Sequence, residues 1–131
     1  MTYTDLSERE EFLATEIVDA AYKVHKELGP GLLEKIYEAC FCYELEQKEI
    51  PYKRQERLNI HYKQKLFFDE ELRVDVFVDG LVICELKSVL ELHPVWMTQI
   101  NSHLKLSDLR LGFLINFNVP LIKQGIKRFK R

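Results

Sequence analysis

The sequence predicts an α/β protein with a central mixed β-sheet flanked by helices, in the element order ααβββαβ. Apolar residues recur at helical spacing through residues 13–45 and then alternate with polar residues from residue 52 onward. A further helical stretch and a final apolar strand follow, which is typical of a layered α/β arrangement. The 131 residues suffice for one domain, so residues 1–131 are expected to form a single domain.

Composition and charge restrict the class of protein. Hydrophobic residues make up 47% and charged residues 31%, which favours a packed core over disorder. The net charge of −2 means that nucleic acid would have to be held by local patches. The three cysteines, Cys40, Cys42 and Cys84, lack metal-type spacing, and neither a signal peptide nor a membrane-length apolar segment is present. We therefore expect reduced thiols and a soluble, cytoplasmic protein that does not bind membranes.

Two helices are expected before the first strand. Ser7 followed by Glu10 matches a capping box, so the first helix should begin there. Gly29-Pro30-Gly31 should end it, and the second helix should stop near Ile50-Pro51. The residues of the second helix that are expected to face inward are Leu33, Ile36, Tyr37, Cys40 and Leu45.

The pattern after residue 51 predicts strands. Residues 52–62 alternate as one half-exposed strand, Lys63-Gln64 forms a turn, and residues 66–68 form a short strand. Asp79-Gly80 is a strong hairpin signal between two strands. The remaining predicted elements are strands over residues 72–78 and 81–87, a helix over 94–107 and a strand over 111–117.

The strand over residues 81–87 contains charges where a core strand should be apolar. Both of its faces carry apolar residues, which is typical of a covered central strand. Glu85 and Lys87 lie two residues apart and so share a face, and Asp75 interrupts the neighbouring strand. An internal ion pair, or a strand end that emerges into water, would explain why Glu85 and Lys87 occur in this strand. Two carboxylates that converge in a sheet repel unless a cation lies between them, and hard oxygen ligands suit Mg²⁺ or Mn²⁺.

Convergence of the two acids depends on the hairpin register. A two-residue loop at Asp79-Gly80 would pair Asp75 with Cys84 and turn it away from the glutamate. A three-residue loop over residues 78–80 would pair Asp75 with Ile83 and place it on the face of the other two charged side chains. We predict this bulged register.

Several segments resemble one nuclease family. Residues 31–37, GLLEKIY, match the pattern that names the GxxExxY proteins. Residues 73–75, RVD, and 85–87, ELK, resemble the D…ExK signature of the PD-(D/E)XK nuclease superfamily. Gln99 resembles the helical Gln that follows this signature, and residues 111–117 resemble the closing strand. The resemblance covers nearly the whole chain and implies a restriction-endonuclease-like core.

The resemblance implies a Mg²⁺- or Mn²⁺-dependent phosphodiesterase that acts on DNA or RNA. Asp75 and Glu85 would be direct metal ligands, and Glu34 an accessory acid that reaches the metal, often through water. Lys87 would orient or deprotonate the attacking water and neutralise charge on the phosphate, and Gln99 would position water or substrate. From the residues alone, Glu34 is better explained as a solvated acid in the first turn of a helix.

An alternative function is a catalytically degenerate nuclease-fold module that binds nucleic acid or a protein partner. The histidines are expected to be surface or packing residues, and Trp96 either stacks on a base or packs in the core. The basic C-terminal run is equally explained as a solvated tail, and the small size makes a homodimer plausible. The candidate nucleic-acid-binding cations are Lys53, Arg54, Arg57, Lys105, Lys127 and Arg128.

Overall fold

A computed structural model describes residues 5–67 and 72–131, and within them it contains a five-stranded mixed sheet with helices on both faces. The helices are α1 (Glu8–Leu28), α2 (Glu34–Gln47) and α3 (Pro94–Leu106), with a short 3₁₀ helix at Ile122–Gly125. The strands are β1 (Tyr52–Arg57), β2 (Ile60–Tyr62), β3 (Lys65–Phe67), β4 (Arg73–Val78), β5 (Val82–Lys87), β6 (Leu111–Asn116) and β7 (Ile126–Lys130).

Helix α1 begins and ends as its sequence predicts. Ser7 Oγ accepts a hydrogen bond from Glu10 N–H at 3.0 Å, and Glu10 Oε1 accepts one from Ser7 N–H at 2.8 Å. The capping box is thereby confirmed. At the other end Gly29 has a φ of 68°, and its N–H donates to His25 O at 2.8 Å. Glycine adopts this left-handed conformation without steric cost, which is why the helix ends there.

Helix α2 forms as predicted, but part of its predicted inward face is wrong. Leu33 is 75% exposed and Ile36 is 43% exposed. Tyr37, Phe41 and Leu45 recur every four residues and make the buried stripe, so the preceding apolar residues turn toward water. Cys40 is half-buried at the border of this stripe. The helix ends at Gln47, slightly earlier than expected, and its buried residues are Tyr37, Glu38, Phe41, Cys42 and Leu45.

The sheet has the strand order β1-β4-β5-β6-β7. The pair β5–β6 is parallel and the other neighbours are antiparallel, so the predicted mixed sheet is confirmed. Apolar residues of α1 and α2 pack with one face of the sheet, and those of α3 pack with the other. Strand β5 is central and covered on both sides, which makes any charge within it costly.

The strand predicted over residues 52–62 is divided into β1 and β2. The interruption occurs where Leu58 turns into the core and its N–H donates to Leu72 O at 2.7 Å. Strands β2 and β3 then form a separate two-stranded hairpin. Lys63 and Gln64 lie in its turn with φ of 49° and 69°, as the predicted turn requires. Phe68, the last residue of the predicted short strand, lies outside the described residues.

The predicted register of the β4–β5 hairpin is wrong by two residues. Phe77 pairs with Ile83, whereas the expected pairing of Asp75 with Ile83 would have placed Phe77 opposite Leu81. The cause is the position of the three-residue loop, which comprises residues 79–81. Its first two residues are left-handed, and Leu81 N–H donates to Val78 O at 3.0 Å.

The two-residue shift preserves the face of every side chain. Side chains in a strand alternate with a period of two, so only an odd shift would move them to the other face. Val76 pairs with Cys84, which brings Asp75 to the level of Glu85. Regular alternation does not continue through Asp75, however, because Val76 packs in the core beneath α1 and α2 whereas Val74 packs in the core beneath α3. The shared face of Asp75, Glu85 and Lys87 therefore stays a prediction.

The basic C-terminal run is an edge strand and not a solvated tail. Strand β7 pairs with β6 in antiparallel fashion, with Lys127 opposite Leu114. Ile126 and Phe129 pack against the cores on the two faces of the sheet. These apolar contacts hold the strand in place, although its many charges suggested a solvated segment.

None of the helices in residues 5–67 and 72–131 has the length and apolar character that a membrane span requires.

Candidate active site

The candidate active site lies where β4 and β5 separate. The β4–β5 ladder extends to the pair Val76–Cys84. Beyond this pair, backbone N–H groups donate to the carboxylates of Asp75 and Glu85 and not to carbonyl groups of the opposite strand. Asp75 Oδ2 accepts a hydrogen bond from Leu86 N–H at 2.8 Å, and Glu85 Oε1 accepts one from Asp75 N–H at 3.3 Å. Each carboxylate thus reaches the other strand, and the two acidic side chains converge.

Burial and the second carboxylate strongly perturb Glu85. Burial raises the pKa of Glu85 to about 8, the negative charge of Asp75 and a hydrogen bond between the two carboxyl groups act in the same direction, and Lys87 opposes them. A carboxyl group with such a pKa is protonated near neutral pH unless a nearby positive charge compensates its negative charge. The pair is therefore a site at which a cation would relieve electrostatic repulsion.

Lys87 is held beside the acids by backbone pairing and by an aromatic ring. It pairs with Asn116 of the parallel strand β6, and its carbonyl oxygen accepts a hydrogen bond from Phe117 N–H at 2.9 Å. Its Nζ atom lies 4.2 Å from the centroid of the Trp96 ring. Such a cation–π contact holds the ammonium group over the face of the ring. Trp96 also packs against the apolar core beneath α3, so the packing alternative for this residue is supported.

A cavity of about 160 Å³ lies between this end of the sheet and α3. Gln99 lines it together with Glu85 and Lys87, so the structure brings these three predicted site residues together. The cavity lining consists of Arg73, Glu85, Lys87, Trp96, Gln99, Ile100, His103 and Leu114.

Sequence reasoning assigned no role at this site to Arg73 or His103. Arg73 precedes Asp75 by two residues on the same strand, and His103 follows Gln99 by four residues on the same helix, so their spacing could have indicated both. Burial lowers the pKa of His103, which favours the neutral ring. Within the described part of the chain its buried Nδ1 atom has no hydrogen-bond partner.

Helix α2 reaches the site through Glu38 and not through the predicted accessory acid. Glu34 is exposed in the first turn of α2, and its role as a ligand stays a prediction. Glu38, one turn later, is only 8% exposed and accepts hydrogen bonds at 2.9 Å from both Arg54 Nε and Gln55 Nε2. Gln55 Nε2 also donates to Asp75 Oδ1 at 3.3 Å. Sequence reasoning assigned Glu38 no role at the site, because the phase of the helix was misjudged.

The donor set fits a hard divalent cation. In the described ranges no three His, Cys, Asp or Glu side chains are grouped to hold a metal ion, and Asp75 and Glu85 form a converging pair of carboxylates. Each carboxylate oxygen retains lone pairs beyond the hydrogen bonds that it accepts. Two carboxylates with water in the remaining positions are typical ligands of Mg²⁺. The residues present thus suit the metal that the resemblance implies.

The predicted nucleic-acid-binding cations do not form one patch. Lys53 and Arg57 of the edge strand β1 line a separate cleft of about 380 Å³. Lys127 lies on β7, at the opposite edge of the sheet. Of the others, Arg54 is paired with Glu38, Arg128 is paired with Glu11, and Lys105 is exposed in the last turn of α3.

A mixed sheet that brings two acids and a lysine together at the ends of its central strands defines a nuclease-like α/β domain. Comparison with protein families agrees: the model of the PD-(D/E)XK nuclease superfamily matches residues 11–129. The chain therefore belongs to the PD-(D/E)XK nuclease superfamily, and its architecture is consistent with a restriction-endonuclease-like fold. Nucleases of this superfamily generally use divalent metals. Neither the curated proteins nor the solved structures contain a significant match.

Proposed function

We propose that this protein is a Mg²⁺- or Mn²⁺-dependent nuclease that hydrolyses phosphodiester bonds of DNA or RNA. The observation that carries this proposal is the convergence of Asp75 and Glu85 beside Lys87 at the exit of a covered central strand. Structural ion pairs neutralise charge, whereas here burial, together with the second carboxylate, raises the pKa of Glu85 to about 8. Such an arrangement costs stability and is typical of functional sites.

The residues of the site divide the work of hydrolysis. Asp75 and Glu85 would hold the divalent cation, which when bound supplies Lewis acidity and lowers the pKa of a nearby water. Lys87, positioned by its contact with the Trp96 ring, neutralises a phosphoryl oxygen of the substrate. Gln99 hydrogen-bonds the water or the substrate from the cavity wall, as its position on α3 permits.

We also propose that the chain is a GxxExxY protein in which Glu34 is the accessory acid. Support comes from the other motif positions, which shape the loop before α2. Tyr37 Oη donates to Gly29 O at 2.6 Å and accepts a hydrogen bond from Leu32 N–H at 3.1 Å. Ser88 Oγ donates to Leu32 O at 2.5 Å, which ties this loop to the segment that follows the ELK motif.

Lys127 is the candidate cation whose position best suits a phosphate next to the cleaved one. Glu85 pairs with Leu114, and Leu114 pairs with Lys127, so the three residues form one row on the same face of the sheet. Two strand spacings separate Lys127 from Glu85, which corresponds to about 10 Å. Lys53, Arg57 and Lys105, which are exposed, would add weaker contacts along the nucleic acid. Arg54 and Arg128 are engaged by acids and would contribute less.

The first test is cleavage of plasmid, single-stranded DNA and RNA with Mn²⁺, with Mg²⁺ and with chelator. We expect metal-dependent cleavage, and we expect Lys87→Met to reduce the rate about 100-fold or more because it removes the charge that faces the phosphoryl oxygens. Lys26→Met is the matched control, since it removes an exposed lysine of α1 that lies outside the cavity. Melting temperatures should confirm that both variants remain folded.

Two results would contradict this function. Absence of metal-dependent cleavage on all three substrates, together with absence of Mn²⁺ binding by calorimetry, would exclude the proposed nuclease. Nucleic-acid binding that needs no metal and survives Asp75→Ala would instead indicate the binding module.

A homodimer and a cytoplasmic location are also part of the proposal. The free thiols of Cys40, Cys42 and Cys84 favour the cytoplasmic location, and light scattering tests the dimer.

A further inference from the structure

Gln55 has an unusual backbone conformation for a residue inside a strand. Its φ is 49°, in the left-handed region that residues with a Cβ atom rarely adopt. In the described ranges, every other non-glycine residue with a positive φ lies in a turn or just after a helix. A turn of the chain therefore does not explain the strained backbone of Gln55. Backbone strain of this kind is concentrated at functional sites.

The distortion is located at the level of Asp75. In the β1–β4 ladder Arg54 pairs with Val76 and Glu56 pairs with Val74. The intervening pair of Gln55 and Asp75 is missing from the ladder. The two strands are thus separated at the position from which the Asp75 side chain reaches β5.

The left-handed residue allows two consecutive side chains to bind the same acid. Arg54 Nε and Gln55 Nε2 each donate to Glu38 at 2.9 Å. Consecutive side chains of a regular strand point to opposite faces, so a regular β1 could not make both contacts. The unusual φ of Gln55 therefore places its amide next to α2 and next to Asp75 at once.

The Asp75 carboxylate is consequently held at both oxygens. Gln55 Nε2 donates to Oδ1 at 3.3 Å, and Leu86 N–H donates to Oδ2 at 2.8 Å. Both neighbours of the Gln55 amide are carboxylates, and only its nitrogen can donate to them. Without this amide, the Oδ1 side of Asp75 would lose its contact with β1 and α2.

We propose that Gln55 is a positioning residue that orients Asp75 for divalent-cation binding. It acts through the hydrogen-bonded series Arg54–Glu38–Gln55–Asp75, which links α2 to the carboxylate pair. This inference rests on the proposed function, because it assigns Gln55 a role at the same site. The strained backbone is the cost of this contact, and the oriented carboxylate is its result.

Gln55→Gly separates this role from a structural one. Glycine removes the amide and also relieves the left-handed strain, so we expect the melting temperature to stay the same or rise. Mn²⁺ affinity, measured by calorimetry, should fall about 10- to 100-fold, as is typical when a residue that orients a metal ligand is lost. Metal-dependent cleavage should fall by a similar factor at subsaturating Mn²⁺.

Gln64→Gly is the matched control. Gln64 has a φ of 69° in the exposed β2–β3 turn, so the same substitution relieves the same kind of strain away from the site. We expect unchanged Mn²⁺ affinity for this variant. Gln55→Asn is a second test, because asparagine tolerates the left-handed region but its shorter amide cannot reach both carboxylates. It should also bind Mn²⁺ more weakly than the unaltered protein.

The outcomes distinguish this inference from the proposed function. Wild-type Mn²⁺ affinity in both Gln55 variants, with metal-dependent cleavage intact, would overturn the role of Gln55 and leave the nuclease function standing. A lower melting temperature for Gln55→Gly with unchanged Mn²⁺ affinity would also overturn it, since that pattern indicates a structural role. An unaltered protein that neither binds Mn²⁺ nor cleaves nucleic acid would overturn both.

Discussion

Replacing Asp75 with asparagine is expected to abolish metal-dependent cleavage and to leave the protein folded. The amide oxygen of asparagine can still accept the hydrogen bond from Leu86 N–H, so the local structure should persist. The charge that attracts the cation is lost, however, and Mn²⁺ affinity should fall by more than about 100-fold, which exceeds the usual loss for a residue that only orients a ligand. Calorimetry with Mn²⁺ and a cleavage assay measure the two effects.

Asp79→Asn is the matched control for this prediction. Asp79 lies in the turn of the same hairpin and forms an ion pair with Arg9 at 2.7 Å, away from the carboxylate pair. Its substitution should leave Mn²⁺ binding and cleavage close to those of the unaltered protein. If Asp75→Asn bound Mn²⁺ and cleaved nucleic acid as well as Asp79→Asn does, Asp75 would not be a metal ligand.

The metal-free protein is expected to lose stability as the pH rises from about 5 to about 8. Glu85 has a pKa of about 8 in the folded protein against a usual value of 4.5. Between these values the folded state binds more protons than the unfolded state. The stabilising contribution of Glu85 is therefore complete below the lower pKa and is lost as the pH rises to the higher one. The loss contributed by this group approaches about 1.4 kcal/mol per pH unit where it is steepest.

Denaturant titrations of the unaltered protein and of Glu85→Gln at several pH values measure this effect. The variant lacks the titrating group, so its free energy of unfolding should depend less on pH. His103 acts in the opposite direction, because its pKa is lowered by burial, and the comparison between the two proteins isolates the contribution of Glu85. Added Mn²⁺ should restore stability at pH 8 by compensating the two charges. Equal pH dependence in both proteins would show that Glu85 is not perturbed.

The local sequence was sufficient to predict most helices and strands and the shared face of Glu85 and Lys87. The capping box and Gly29 located the ends of α1, since both act within a few residues of the chain. The Asp79-Gly80 turn located a hairpin, although its ladder is displaced by two residues from the predicted register. The meeting of Asp75 with Glu85 does not follow from this register, because it depends on side-chain hydrogen bonds between the two strands.

Errors arose where the prediction depended on helix phase or on distant contacts. Each residue advances a helix by about 100°, so a small error in the position of the buried stripe changes which residues face inward. The prediction therefore chose Glu34, which is exposed, and overlooked Glu38, which is buried. Strand β7 was missed because its alternating charges outweighed Ile126 and Phe129, whose apolar partners come from distant segments. Arg73 and His103 were missed at the cavity for a related reason, since their spacing from Asp75 and Gln99 becomes informative only once β4 and α3 are known to line the same cavity.

By itself, the sequence determined the α/β order and the covered central strand that carries Glu85 and Lys87 on one face. These features follow from periodicity and turn chemistry, which operate over a few neighbouring residues. Only the tertiary structure decided which residues meet across the chain: Gln55 with Glu38 and Asp75, and Lys87 with Trp96. The physical reason is that such contacts depend on how whole elements pack, and the strained backbone of Gln55 is stable only because those packed neighbours hold it.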